Sequence, residues 1–155
     1  MRDLLFRGKR KDNGEWVESG SIIRGIPDAD PSQYSYYIGS AMSGTWYVNP
    51  QGNIVSVKTN DECIAYEVDP DTVGQYTGLT DKNGKRIFEG DIVQATDIHD
   101  TYLVGMVVWR CDAWRVCGAN WADTLHMANH LHKLTVIGNI HDNNPELLMP
   151  QEEWT

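Results

Sequence analysis

The chain has 155 residues, of which 22 are Asp or Glu and 13 are Lys or Arg, giving a formal net charge of −9, and 41% are hydrophobic. A chain this long forms one domain, or two small lobes sharing a core. It can bury roughly 68–70% of its unfolded surface, so it needs no metal or disulfide to fold, and it is too apolar to be disordered. The acidic balance speaks against direct, non-specific binding to nucleic acid and against an anionic membrane surface, because both need a basic face; basic protein partners, cations or mimicry of nucleic acid stay open.

No stretch approaches the ~18 apolar residues of a membrane span, and the start MRDLLFRGKRK has no long apolar region of a signal peptide. The expected compartment is therefore the cytoplasm, where thiols stay reduced. Cys63, Cys111 and Cys117 are accordingly expected to be reduced, and Cys111 and Cys117, across a hairpin from each other, read as buried thiols rather than a disulfide or metal pair. Six Trp and seven Tyr favour β structure and a large aromatic core or interface.

In chain order, Leu4 to Arg7 reads as a short strand, Asp12-Asn13-Gly14 as a hairpin turn, and Glu15 as the start of the returning strand. The basic run Lys9 to Lys11 between them reads as a solvated tip rather than a phosphate contact. Ser21 to Ile23 continues as a strand until Pro27 and Pro31 break it, since neither can donate to a sheet ladder. Asp28 and Asp30 in that loop lack the Gly and distal Glu of a calcium loop. Tyr34 to Ile38, Thr45 to Val48, Ile54 to Val57 and Cys63 to Val68 follow as short strands at even spacing, which signals an antiparallel meander or barrel. The tyrosines carry no interleaved basic residues, so they read as packing or protein contact rather than base-stacking platforms.

From Gln75 to Val93 the chain reads QYTGLTDKNGKRIFEGDIV. Asp81-Lys82-Asn83-Gly84 has the composition of a tight turn, and Glu89-Gly90-Asp91 makes a second, because Asn and Gly accept positive φ. Asp91 to Thr96, Tyr102 to Arg110 and Ala113 to Val116 are three strands joined by short turns at Asp97 to Asp100 and at Cys111-Asp112. That layout resembles a small SH3-like barrel, with the apolar Tyr102 to Trp109 as a central strand or interface. Trp121 to Leu131 breaks the alternation and suggests one or two helical turns. Leu134 to Ile140 closes the sheet, with a bulge or close approach at Gly138, and Asn144-Pro145 opens a brief helix to Leu148.

These same stretches carry a family resemblance. Thr72 to Leu79, including Gly74, Gln75, Tyr76, Thr77, Gly78 and Leu79, together with Asp81, Gly84, Glu89, Gly90 and Asp91, is similar to the signature of the YopX family, small proteins encoded by phages and prophages. Leu5 to Lys9 with Gly14 to Trp16 resembles the family's opening. Val136 to Ile140, with Gly138 and Asn139, and Asn144 to Leu148 resemble its close. The resemblance implies a phage or prophage origin and brings no catalytic residue with it.

The sequence thus predicts a mainly β protein. Residues 1–72 form an antiparallel meander or barrel-like part. Residues 73–149 form the signature hairpin and a small SH3-like β-barrel unit with one or two short helices, in one compact domain with a shared core, and 150–155 form a frayed tail. For chemistry, His126 and His130 are spaced to share a helix face, with His132 at its end and Asp123 as a possible carboxylate, but Met127 stands where a zinc protease needs Glu. These three His are the only weak metal candidates. Asp97, His99 and Asp100, and likewise His141-Asp142, sit on hairpin tips where exposure is the default. The expectation is a non-enzyme without cofactor: a protein-interaction or oligomeric structural module, a homo-oligomer with possible host or phage protein partners. The alternative is a nucleic-acid-related role, either direct binding through Lys9 to Lys11 and Lys82 to Arg86 or acidic mimicry acting on a host protein.

Overall fold

In the computed structural model, residues 3–25, 35–39, 45–48, 54–59, 62–63, 65–96 and 102–142 are described. The chain divides into two units, Met1–Gln75 and Tyr76–Thr155. Both are built from antiparallel strands, as the sequence leads one to expect.

The first unit contains β1 (Phe6–Lys9), β2 (Trp16–Ser19), β3 (Ile22–Gly25), β4 (Ser35–Gly39), β5 (Thr45–Val48), β6 (Ile54–Thr59), β7 (Glu62–Cys63) and β8 (Ala65–Val68). β1 and β2 pair from Phe6↔Ser19 to Lys9↔Trp16 across the turn at Asp12 to Gly14, where Gly14 takes φ +73. The strands after β2 do not form a simple meander. β4 pairs with β3 on one side and with β8 on the other, while β5, β6 and β7 make a separate three-stranded sheet. Pairing Tyr36↔Val68 through Gly39↔Ala65 is what brings β8 back across the intervening residues. Among the described residues, the buried apolar side chains of this unit are Ile38, Val68 and Ala65. They close over Gly8, whose absent Cβ would lie 3.0 Å from Val68 Cβ and 3.2 Å from Ile38 Cδ1.

A 3-10 turn, Pro70–Thr72, then fastens the chain to β1. Lys9 N–H donates to Thr72 Oγ1 (2.8 Å), and Asp69 N–H donates to the Lys9 carbonyl (2.8 Å). β9 (Gly74–Thr80) begins in the first unit, with Gly74 and Gln75 paired to Arg7 and Phe6.

The second unit continues β9, which pairs with β10 (Arg86–Phe88) at Thr80↔Arg86 and Tyr76↔Phe88. A five-stranded sheet follows, in the order β14-β13-β12-β11-β15. Its strands are β11 (Asp91–Thr96), β12 (Tyr102–Arg110), β13 (Ala113–Cys117), β14 (Ala122–Thr124) and β15 (Thr135–Asn139). Among the described residues no sheet closes on itself, so the SH3-like barrel is seen only as an open sheet. The bulge expected at Gly138 is present: Ile92 faces Gly138 and Val93 faces Val136, leaving Ile137 as the extra residue.

The helix α1 (Leu125–His132) starts later than the sequence suggests, because Ala122 to Thr124 are drawn into β14 against Cys117 to Arg115. Tertiary pairing here outweighs local preference. Leu125 and Ala128, one helical turn apart, enter the core of Ile87, Val93, Ala95, Val107, Val116 and Leu134. Each fully buried aliphatic chain in it contributes roughly 1.5–3 kcal/mol. The helix stops at Lys133, whose left-handed φ of 50° lets its N–H reach the Asn129 carbonyl (3.1 Å).

Two expectations about cysteine are corrected. Cys111 is exposed and Cys117 only half-buried, and both are free thiols; nothing of the Cys63 side chain is described. Cys111 is exposed because it lies in the two-residue turn between β12 and β13, where Cys111 (φ 51) and Asp112 (φ 57) both adopt positive φ. A primed hairpin turn demands that geometry, and Asn-Gly tolerates it far better than Cys-Asp. Replacing Cys111-Asp112 with Asn-Gly is therefore expected to raise the unfolding free energy by about 1–2 kcal/mol, read by urea denaturation.

The loop Pro27 to Pro31, the links at 40–44 and 49–53, the tip Asp97 to Asp100, the helix from Pro145 and the tail from 150 lie outside the described residues.

Candidate functional site

The second turn-rich stretch is where the signature residues converge. Asp81 is buried, 6% exposed, although it opens a hairpin turn. Its Oδ1 accepts from the N–H of Asn83 (2.8 Å) and of Lys85 (2.9 Å), closing the turn upon itself. Its Oδ2 accepts from Val136 N–H (3.0 Å) on β15. Beside it, Lys82 N–H donates to the Leu134 carbonyl (3.0 Å). The turn thus covers the free edge of β15, which would otherwise offer unpaired backbone groups. Gly84 takes φ +82 and returns its N–H to the Asp81 carbonyl (3.0 Å). Burial pushes the Asp81 carboxyl upward, but the N–H groups of Val136, Lys85 and Asn83, with the Lys85 charge, outweigh it and hold the group below the usual carboxylate range.

The neighbouring signature residues do similar work. Thr77 Oγ1 donates to the Ile87 carbonyl (2.8 Å) and accepts from Leu79 N–H (3.3 Å), spanning the hairpin from inside. Asp91 is 1% exposed and accepts from Phe88 N–H (2.8 Å) across the Glu89-Gly90 turn. Gly90, at φ +82, gives its N–H to Val107 O (2.9 Å) and takes Ile140 N–H on its carbonyl (3.0 Å). Asn139 faces Asp91 in register; its Oδ1 accepts from His141 N–H (2.9 Å) and its Nδ2 donates to Asp142. Tyr76 stacks obliquely on Phe88, ring centroids 5.6 Å apart.

The histidines are placed otherwise. His126 and His130 are exposed on the outer face of α1 and His132 is half-buried at its end. Among the described residues no three His, Cys, Asp or Glu side chains come together as a metal site. His141 belongs to the turn held by Asn139.

A second candidate, missed in the sequence, lies in the first unit. Arg10, Lys11, Asp12, Ala65, Tyr66 and Glu67 line an open groove of about 480 Å³. The Arg10 guanidinium lies over the Tyr66 ring, 4.0 Å from its centroid, and bonds both oxygens of Asp12. Lys11 Nζ pairs with Glu67 (2.9 Å). The hydrogen bond with Asp12 raises the Arg10 pKa, and the same bond lowers that of Asp12. These ion pairs are exposed and screened, so they orient the groove more than they stabilise it. The signal for the groove is the antiparallel pairing of Arg10 with Val68, a long-range bridge that no local pattern carries.

Compared with known proteins, no curated protein matches the chain significantly. Among solved structures it is similar to the crystal structure of protein EF1440 from Enterococcus faecalis, at 22% identity and a TM-score of 0.51, over 93% of this chain and 97% of that one. That likeness concerns the fold. The family model described as YopX protein matches residues 5–149, nearly the whole chain, signature hairpin included. The chain belongs to the YopX family.

Proposed function

We propose that the protein is a non-enzymatic protein-interaction module of phage or prophage origin, acting as a homo-oligomer in the cytoplasm of a bacterial host. The observation that carries this reading is where the aromatic side chains lie. Trp109 is 52% and Tyr102 60% exposed, and Trp109 meets Trp114 edge-on at 5.0 Å beside the β12–β13 turn. Large rigid aromatics left at the surface are the residue type enriched at binding hot spots. The signature polar groups, by contrast, are engaged with backbone in the Asp81 and Asp91 turns, which suits a scaffold that presents a surface.

Direct nucleic-acid binding has less support, since Arg10 and Lys11 are each held by a carboxylate of this same chain. Light scattering on the purified chain is the test. The expected result is a mass of two or more chains, reduced by Trp109→Ala. A strict monomer that also retains no partner from host lysate would overturn the reading.

A further inference from the structure

The five-stranded sheet has a second face, turned away from the core of α1 and Ile87. Strand alternation places Val107, Val116 and Val93 on the core side, and therefore Val104, Met106, Val108, Arg115 and Cys117 on the other. All five are half-buried. The register sets Val108 directly opposite Arg115 and Met106 opposite Cys117. Arg115 thus stands between Val108 on β12 and Thr124 on β14, and its buried Nε has no hydrogen-bond partner among the described residues. No ion pair engages it there either, whereas Arg10 and Lys11 have theirs.

The charge on this face is the reverse of the chain as a whole. Over 155 residues acids outnumber bases by 22 to 13. Yet the residues that β12 and β13 place on this side are Tyr102, Val104, Met106, Val108 and Arg110, with Ala113, Arg115 and Cys117, two cations and no carboxylate. A second copy docked symmetrically through the same patch would add two more cations from its β12 and β13 and no carboxylate to pair with them. A phosphate backbone needs several cations in a polar groove, and here there are two on a face that also carries Val104, Met106 and Val108. What fits is a carboxylate carried between apolar side chains, which would accept from the guanidinium while its neighbours cover Val104, Met106 and Val108.

We propose that this face docks a different protein through an acidic residue flanked by apolar ones, seated on Arg115. The inference rests on the interaction-module reading but is independent of the homo-oligomer in it.

The test is selection of random 12-residue peptides displayed on phage against the full chain, followed by affinity measurement on synthetic copies. The expected result is a set of binders sharing Asp or Glu between apolar residues. Their affinity should fall tenfold or more on Arg115→Gln and on Val108→Glu, which sets a carboxylate of the chain's own beside the guanidinium, and stay unchanged on Arg10→Gln. Two-dimensional amide spectra confirm that each variant is folded, and Val108→Glu decides if Arg115→Gln is not. Binders indifferent to Arg115→Gln and Val108→Glu would overturn the proposal and leave the interaction-module reading intact. A selection that yields no binders would count against both.

Discussion

Asp81→Ala is expected to destabilise the protein by about 3 kcal/mol. Three backbone N–H groups, those of Asn83, Lys85 and Val136, lose their acceptor at once. A buried donor left unsatisfied costs roughly 1–3 kcal/mol, and the two in the turn can recover part of that from water. For a chain of this size the change corresponds to a fall in Tm of about 6–12 °C. Asp81→Asn keeps the side-chain volume and one acceptor oxygen but turns an NH2 donor toward the backbone N–H that the other oxygen served, so a loss of about 2 kcal/mol is expected.

The same carboxylate sets a pH dependence. Its pKa is lowered on folding, so its contribution is fully present above the ordinary carboxylate range and is lost as pH falls through the lowered value. Urea unfolding between neutral and strongly acidic pH should therefore show a stability loss in the wild type that Asp81→Asn largely lacks.

Gly118→Ala is expected to cost about 3 kcal/mol or more, although it adds a single methyl group. A Cβ at position 118 would fall within the Trp121 indole and against the Val104 carbonyl. Those two groups are joined by a hydrogen bond, Trp121 Nε1 to Val104 O at 3.1 Å, and Gly118 N–H itself donates to Trp121 O (2.8 Å). The carbonyl belongs to β12 and cannot yield, so either the indole leaves the core edge or the β13–β14 connection shifts. Overpacking of this kind costs roughly 1–3 kcal/mol, and loss of the indole bond about 1 kcal/mol more. Gly14→Ala is the control: it has open space around it but φ +73, so only the left-handed backbone penalty of about 1 kcal/mol applies. A tryptophan emission shift confined to Gly118→Ala would locate the damage at Trp121.

Much of the second unit was legible in the sequence because its turns are written in residues that only turns favour. Asn83-Gly84 and Glu89-Gly90 mark the two bends, and Gly84 and Gly90 both adopt positive φ. The positions of β11 and β12 follow from runs rich in β-favouring residues, such as Ile92-Val93 and Val107-Val108-Trp109. Asp81 was legible as a turn former, since Asp commonly bonds the N–H two residues on, as it does with Asn83. Its third bond, to Val136, was not, because it joins residues 55 positions apart.

The same limit explains β14 and β8. Ala122-Asp123-Thr124 has no strand pattern of its own and is extended only because β13 offers an edge. β8 leaves the expected meander because Ile38 and Val68 share a core over Gly8. The Cys111-Asp112 turn was read correctly as a turn, while its thiol was assigned to the interior from residue type and an expected reducing compartment; the turn places it in solvent, with positive φ at both positions. Arg115 carried no signal, since its isolation depends on which strands flank it.

The most direct measurement is the titration of the Asp81 carboxyl followed by NMR together with the Val136 amide proton. If the signature residues serve as architecture, Asp81 titrates below the usual carboxylate range, the Val136 amide shifts along the same curve, and Asp81→Ala exposes that amide to rapid exchange. An Asp81 that titrates like a free carboxylate, with a Val136 amide indifferent to it, would contradict the scaffold role assigned to the YopX signature.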